Sequence, residues 1–227
     1  MLWLIGGVIL VAAVFGPSLW VKQVLRKYSK PADRYTGTGG KLARELLDRC
    51  GLQSVPVELT EAGDHYDPIA KCVRLSKDHM DGCSLTAITV AAHEVGHATQ
   101  DRDKYAPLRM RTAMVALAIP AQKMGAGMLM LAPVITLLTQ APVAGMFMLM
   151  GGFLSLGTGT LVHMITLPME MNASFARALP MLEQGDYLIE GDAPHAKKIL
   201  KACAWTYAAA SLMSLLNIGR WWAVLRR

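Results

Sequence analysis

The sequence predicts a mainly α-helical integral membrane protein, with about four transmembrane helices and a small α+β portion on the cytoplasmic side. Two observations carry that expectation. The chain is 227 residues long and 53% hydrophobic, and its apolar residues cluster in Leu2 to Val21, Ala113 to Thr166 and Ala202 to Ile218, while Lys22 to Arg111 has the composition of an ordinary globular stretch. The formal charge of +6 comes largely from Lys and Arg beside the apolar runs. A positive-inside bias requires that placement, so topology accounts for the charge and no nucleic-acid partner is expected.

Residues 1–21 are the expected first anchor. Trp3 to Val21 is long enough to cross a bilayer, and Lys22, Arg26, Lys27 and Lys30 follow it rather than precede it. That is a retained anchor with its amino terminus outside, not a cleaved signal peptide, and Gly16-Pro17 should kink or end the helix near its inner end. Residues 22–111 form the cytoplasmic portion. After a polar linker, Pro31 to Gly40, the stretch Lys41 to Cys50 is a short amphipathic helix with Leu42, Leu46 and Leu47 on one side and Gly51 at its end. Alternation at Val55, Val57 and Leu59, a turn at Ala62-Gly63-Asp64 and a second alternation from Ala70 to Leu75 predict a β-hairpin. Ser84 is an N-cap, and Leu85, Ile88, Ala92 and Val95 form a helix-period stripe that runs to about Thr99.

Residues 112–166 should be a transmembrane hairpin turning at Gln140-Ala141-Pro142, with small residues at Gly151, Ser155 and Gly159 for close helix packing. Lys123 interrupts it, either snorkelling or buried against the polar portion. Two crossings return the chain to its starting side, so residues 167–201 are again cytoplasmic. Residues 202–227 are a short last span and tail whose Arg220, Arg226 and Arg227 would lie outside, an exception to the charge rule. Cys50, Cys72, Cys83 and Cys203 show no Cys-x-x-Cys spacing and are expected to stay thiols; the 15 Met residues are packing residues.

The chemistry centres on Ala91-Ala92-His93-Glu94-Val95-Gly96-His97-Ala98. Histidines four residues apart on a helix leave from one face, and two neutral imidazoles suit a borderline-soft ion such as Zn2+. Glu94 beside the first histidine reaches the water such an ion would hold and is the general base. Gly96 leaves room for close approach beside the second ligand. A catalytic zinc needs a third protein ligand, for which two residues compete. Asp103 lies six residues after His97 but lacks the turn-forming Gly that this placement needs, having Gln100 there. Glu170 follows Pro168, which can begin a new helix, and the crossing count brings it to the metal's side; it is preferred.

Further candidates surround this set. Lys71, Val73 and Leu75, within Lys71 to Ser76, are the expected strand edge for a substrate backbone. His65 or Tyr66 could donate to an oxyanion, although fixing the loop is the simpler role for His65-Tyr66-Asp67. Arg177 could steady a carboxylate or the oxyanion, and His163 sits inside a membrane helix, where helix packing is the first expectation.

Several stretches together resemble a family, the YugP-like neutral zinc metallopeptidases of bacterial membranes. They are Asp64-His65-Tyr66-Asp67-Pro68, Val73-Arg74-Leu75-Ser76, the His93–His97 segment through Gln100, Tyr105-Ala106-Pro107-Leu108, and Leu167-Pro168-Met169-Glu170 through Ala173-Ser174. The layout is also similar to HtpX-type and CAAX-prenyl membrane proteases, where a Glu-x-x-Ala segment after a transmembrane hairpin supplies the third zinc ligand. The resemblance implies Glu170 for that ligand, a zincin-like fold for residues 22–111 and peptidase activity. Asn172 stands where an Asp is common in the family.

The expected function is hydrolysis of peptide bonds in membrane-associated or cytosolic proteins, by a multi-pass protein of the cell membrane whose site faces the cytoplasm. The partners are then a peptide substrate and the lipid bilayer, and the oligomeric state is not fixed by the sequence. The alternative is a membrane scaffold or chaperone with a structural zinc, its fourth position closed by His65 or Asp103.

Overall fold

A computed structural model describes residues 2–206, including the side chains of all these except residues 2–14, 156, 160, 161, 163 and 164. The expected side-chain role of His163 and most of the expected last span, 207 onward, fall outside the described residues. Helix α1, Leu2–Tyr28, runs on through Pro17 rather than ending there. Its C-terminal end packs on the polar portion, where Val24, Leu25 and Tyr28 meet Leu85, Val90, Ala196 and Ile199, and Thr86 Oγ1 donates to the Leu25 carbonyl at 2.9 Å.

Helix α2, Gly39–Arg49, starts where Thr38 Oγ1 accepts the Lys41 N–H, and buries Leu42, Ala43, Leu46 and Leu47. Three short strands follow: β1 (Val57–Leu59), β2 (His65–Asp67) and β3 (Cys72–Leu75). Their order is β1-β3-β2, with β1 parallel and β2 antiparallel to β3. The expected hairpin between the first and last of these strands is therefore corrected. The hairpin is β2–β3, closed by Asp67 Oδ1 accepting the N–H groups of Ile69 and Ala70 and by Lys71 in the left-handed region at φ 55°. The substrate edge expected at Lys71, Val73 and Leu75 is corrected too. Strand β3 is central and both its sides are paired, so among the described residues the sheet's edge strands are β1 and β2.

Helix α3 (Lys77–Met80) leads to α4 (Leu85–Arg102), whose N-cap Ser84 Oγ accepts the Ala87 N–H. Every residue of α4 from Leu85 to Gln100 is buried. It is a central helix rather than an amphipathic one, because α1, α2, the sheet and the segment after Glu170 cover it from different sides. The core beneath the site joins Leu46, Leu47, Val73, Leu75, Val95 and Leu182. Each such side chain taken from water stabilises the fold by about 1.5–3 kcal/mol.

Helices α5 (Ala106–Thr139) and α6 (Pro142–Met171) form a long antiparallel hairpin about Gln140, which is left-handed at φ 51°. Small residues set their approach: a Cβ on Gly125 would lie 2.5 Å from Ser155 Cβ, and one on Gly152 would lie 2.6 Å from Leu129 Cγ. Among the described residues two helices, α5 and the Pro142–Gly159 part of α6, are long and apolar enough to cross a membrane, so the expectation of four spans is corrected. Part of the reason is that the flanking apolar runs also build the polar portion's core. Val21 of α1 is buried, and so are Ala196, Ile199, Leu200, Ala202 and Ala204 of the helix over 193–206, α8. Beyond α6 the backbone widens into a π-helical segment, Asn172–Ala178, and tightens again into α7, Leu179–Gln184.

Candidate metal centre and active site

Helix α4 presents His93 and His97 from successive turns, and the last turn of α6 brings Glu170 against them. The two Nε2 atoms lie 3.3 Å apart, and each is 3.2 Å from Glu170 Oε2. With ligand bonds of about 2.0–2.1 Å, a tetrahedral zinc spaces its donors by about 3.3 Å, so the trio has the dimensions of three corners of such a site. The donor chemistry agrees. All three side chains are buried, and Glu170 Oε1 has no hydrogen-bond partner among the described residues. The group could hold a metal ion.

Both imidazoles are fixed from behind. His93 Nδ1 lies 3.1 Å from Ser174 Oγ, and that hydroxyl donates to the Leu200 carbonyl. The serine oxygen thus accepts from His93, which places the ring proton on Nδ1 and leaves Nε2 as a lone pair toward the trio. His97 Nδ1 donates in the same way to Gln100 Oε1 at 3.0 Å. The Gln100 amide in turn donates to the Met169 carbonyl at 2.8 Å and to Asn172 Oδ1 at 2.9 Å. Such partners set the tautomer and aim of metal-binding histidines. The π-helical segment is what makes them available, since it carries Asn172, Ser174 and Arg177 beside α4. A Cβ on Gly96 would meet the Ala173 carbonyl oxygen at 2.7 Å, so the close approach expected at this glycine is a backbone contact with that segment.

Electrostatics favour a cation here. Burial pushes the Glu170 carboxyl up, but the His97 and His93 rings outweigh it and hold the group down at about 2. Burial lowers His97, while Glu170 and Glu94 raise it to about 9. Glu94 is buried beside the trio, and burial raises its carboxyl above the ordinary range, against the pull of His93 and His97.

The centre opens into a cavity of about 610 Å³. Its lining includes the loop and strand 62–68, with all of β2, and also Leu25, Val90, Leu108 and Cys203. The remaining expected site residues lie at varied distances from the chemistry. His65 lines the cavity, and its Nδ1 donates to the Gly63 carbonyl at 2.8 Å. The Tyr66 hydroxyl donates to Asp101 Oδ2 at 2.7 Å, an oxygen that also pairs with Lys71 Nζ. Asp103, the competing third ligand, is the C-cap of α4 and pairs with Arg102 and Arg177, outside the trio. Arg177 donates to Asp103 Oδ2 at 2.6 Å and to Asn172 Oδ1 at 3.1 Å, not to Glu170. Asn172 Oδ1 thus accepts from both Arg177 and Gln100.

Sequence reasoning gave no role to Gln100, Ser174, Asp64 or His79. Gln100 carried a readable signal, one helical turn after His97. The other three act through contacts with distant parts of the chain.

A profile of the family described as "Putative neutral zinc metallopeptidase" matches residues 2–226. The chain belongs to that family. The "Putative membrane protease YugP" of Bacillus subtilis (strain 168) is 36% identical over 220 residues, covering 94% of this chain and 93% of that protein. No solved structure gives a significant match. Zinc is therefore the metal for this member of the zinc metallopeptidases, and His93, His97 and Glu170 are the described group that fits it.

Proposed function

We propose that this family member is a membrane zinc metalloendopeptidase that cleaves membrane-associated or cytosolic polypeptides, with His93, His97 and Glu170 as metal ligands and Glu94 as general base. The observation that carries the reading is the buried trio with a buried carboxylate beside it at the end of an open cavity. Zinc bound there would acidify a water and polarise the scissile carbonyl. Glu94 accepts the water's proton as the water oxygen bonds to the carbonyl carbon, and passes it to the nitrogen as the C–N bond breaks. The products are a carboxylate and an amine. The burial that raises Glu94 suits it to take and return a proton.

The open edge of β2 runs along the cavity and is the surface on which an extended substrate backbone would add as a strand. His65 shapes the entry to that edge by holding the Gly63 turn. Arg177 works from behind the metal, through Asn172 and Gln100. A structural zinc would require a fourth protein donor, whereas the group among the described residues has three, which supports a catalytic ion. The α5–α6 hairpin would cross the membrane and return, placing the site at the cytoplasmic face beside the basic residues Arg109 and Arg111.

Glu94→Gln tests the reading. The variant should keep its zinc, measured by metal analysis of the purified protein, and lose peptide hydrolysis by several orders of magnitude. Undiminished turnover in the variant would falsify the assignment.

A further inference from the structure

A second, partly buried constellation faces the same cavity and has no part in the chemistry above. Asp64 follows the Gly63 turn, where φ is +91°, and its carboxylate is fully engaged. Oδ1 accepts the Ser76 N–H at 2.7 Å and the Ser76 hydroxyl at 2.9 Å, and Oδ2 lies 2.7 Å from His79 Nδ1. The side chains of Asp64 and His79 are 17% and 16% exposed, and both line the cavity together with His93, Glu94 and Glu170. Hydrogen bonding to an ionised carboxylate places one proton on Nδ1, so Nε2 carries a proton only when the ring is the imidazolium, whose charge Asp64 offsets, and that is the form the proposal uses. Among the described residues Nε2 has no hydrogen-bond partner of its own. The charge on Asp64 is felt at Glu94, which puts the pair within electrostatic reach of the general base.

We propose that His79 is a catalytic residue of this site, its Nε2–H donating to the oxygen that gains charge as water adds to the scissile carbonyl, and that Asp64 is the positioning residue that holds the ring. The assignment rests on the peptidase reading and adds to it the electrophilic side of the cavity. It also fills a role that the Tyr66 hydroxyl leaves open, because that group is committed to Asp101. A preorganised donor of this kind contributes to the step in which charge develops and little to ground-state binding.

The test uses the full-length, zinc-loaded protein in detergent, with His79→Ala and Asp64→Asn as variants. Three probes are compared: a library of internally quenched fluorescent peptides, a phosphinic pseudopeptide with leucine side chains on either side of the phosphinate, and mercaptoacetyl-leucine. The phosphinate presents a second oxygen where the oxyanion forms, and the thiol binds zinc without one. H79A should retain zinc and thiol affinity, with kcat and phosphinate affinity each falling by about 10- to 100-fold and KM changing by less than about threefold. D64N should show the same pattern, weaker, and it decides the question if H79A fails to fold. Zinc-loaded variants with unchanged kcat and phosphinate affinity would overturn the proposal. So would equal losses for both inhibitors, which mark a wall that only keeps its shape. A wild-type protein that holds zinc but hydrolyses no peptide would sink the peptidase reading and the role of His79 with it; hydrolysis that survives intact in H79A would sink His79 alone.

Discussion

At the scale of single residues, the proposed metal ligands are held by neighbours outside the trio. Ser174 and Gln100 each hold one ring by its Nδ1, so Ser174→Ala and Gln100→Ala should weaken zinc binding by about 10- to 100-fold, read by competition with a chromogenic chelator. Gln100→Ala should have the larger effect, because it also frees the Met169 carbonyl and severs the contact with Asn172. Arg177→Ala, two contacts further out, should change zinc affinity less than either. These relations mark the limit of what the chain discloses as a string. The shared face of His93 and His97 was legible from their spacing on one helix, and Glu170, the preferred third residue, lies against them. The crossing count that also favoured it rests on the proposed topology. The pairing of His79 with Asp64 was not legible, since Asp64 lies across a turn and two strands. The two residues meet only once β2 and β3 pair and Ser76 caps α3.

At the scale of elements, the sheet and the π-helical segment show how pairing and backbone width decide what a residue can do. Alternation correctly signalled β1 and β3 as extended, but β2 has three residues and too little pattern to read. Its insertion converts the expected edge strand into the central one and moves the open edge to the cavity wall. The π-helical segment is equally silent in sequence, yet it sets Ser174 and Asn172 behind the two histidines, and Gly96 is the counterpart that lets it lie so close. Gly96→Ala should therefore push the segment away from α4. The expected cost is about 1–3 kcal/mol, seen as a lower Tm, together with weaker zinc binding, while Gly16→Ala, whose Cβ would meet nothing within 4 Å, should leave zinc binding unaffected.

At the scale of the molecule, the polar portion is laced together by contacts between distant segments. Buried Asp192, at the entrance to α8, accepts two hydrogen bonds from Arg34 and one from Tyr35. The Arg34 hydrogen bond, aided by Tyr35 and opposed by burial, holds the Asp192 carboxyl below its ordinary value. A depressed carboxyl stabilises the fold above its unfolded pKa, about 3.9, and that contribution fades as pH falls through the lower folded value. Asp192→Asn should therefore lower Tm at neutral pH, and the gap to wild type should narrow below about pH 4, as thermal melts across a pH series would show. The proposed membrane crossing is checked separately. In a background without native cysteines, Gln140→Cys and Lys104→Cys should be labelled by an impermeant maleimide from opposite sides of the membrane; labelling from one side would exclude a spanning hairpin.

The order of the ligands along the chain also has a consequence for biogenesis. Helix α5 and all but the last turn of α6 lie between His97 and Glu170, so a nascent chain that has emerged only as far as α4 carries two of the three proposed donors. On the proposed topology the third arrives only after the hairpin has entered the bilayer and the chain has come back. On that topology, entry of the hairpin into the bilayer would be the step that completes the proposed set of three donors.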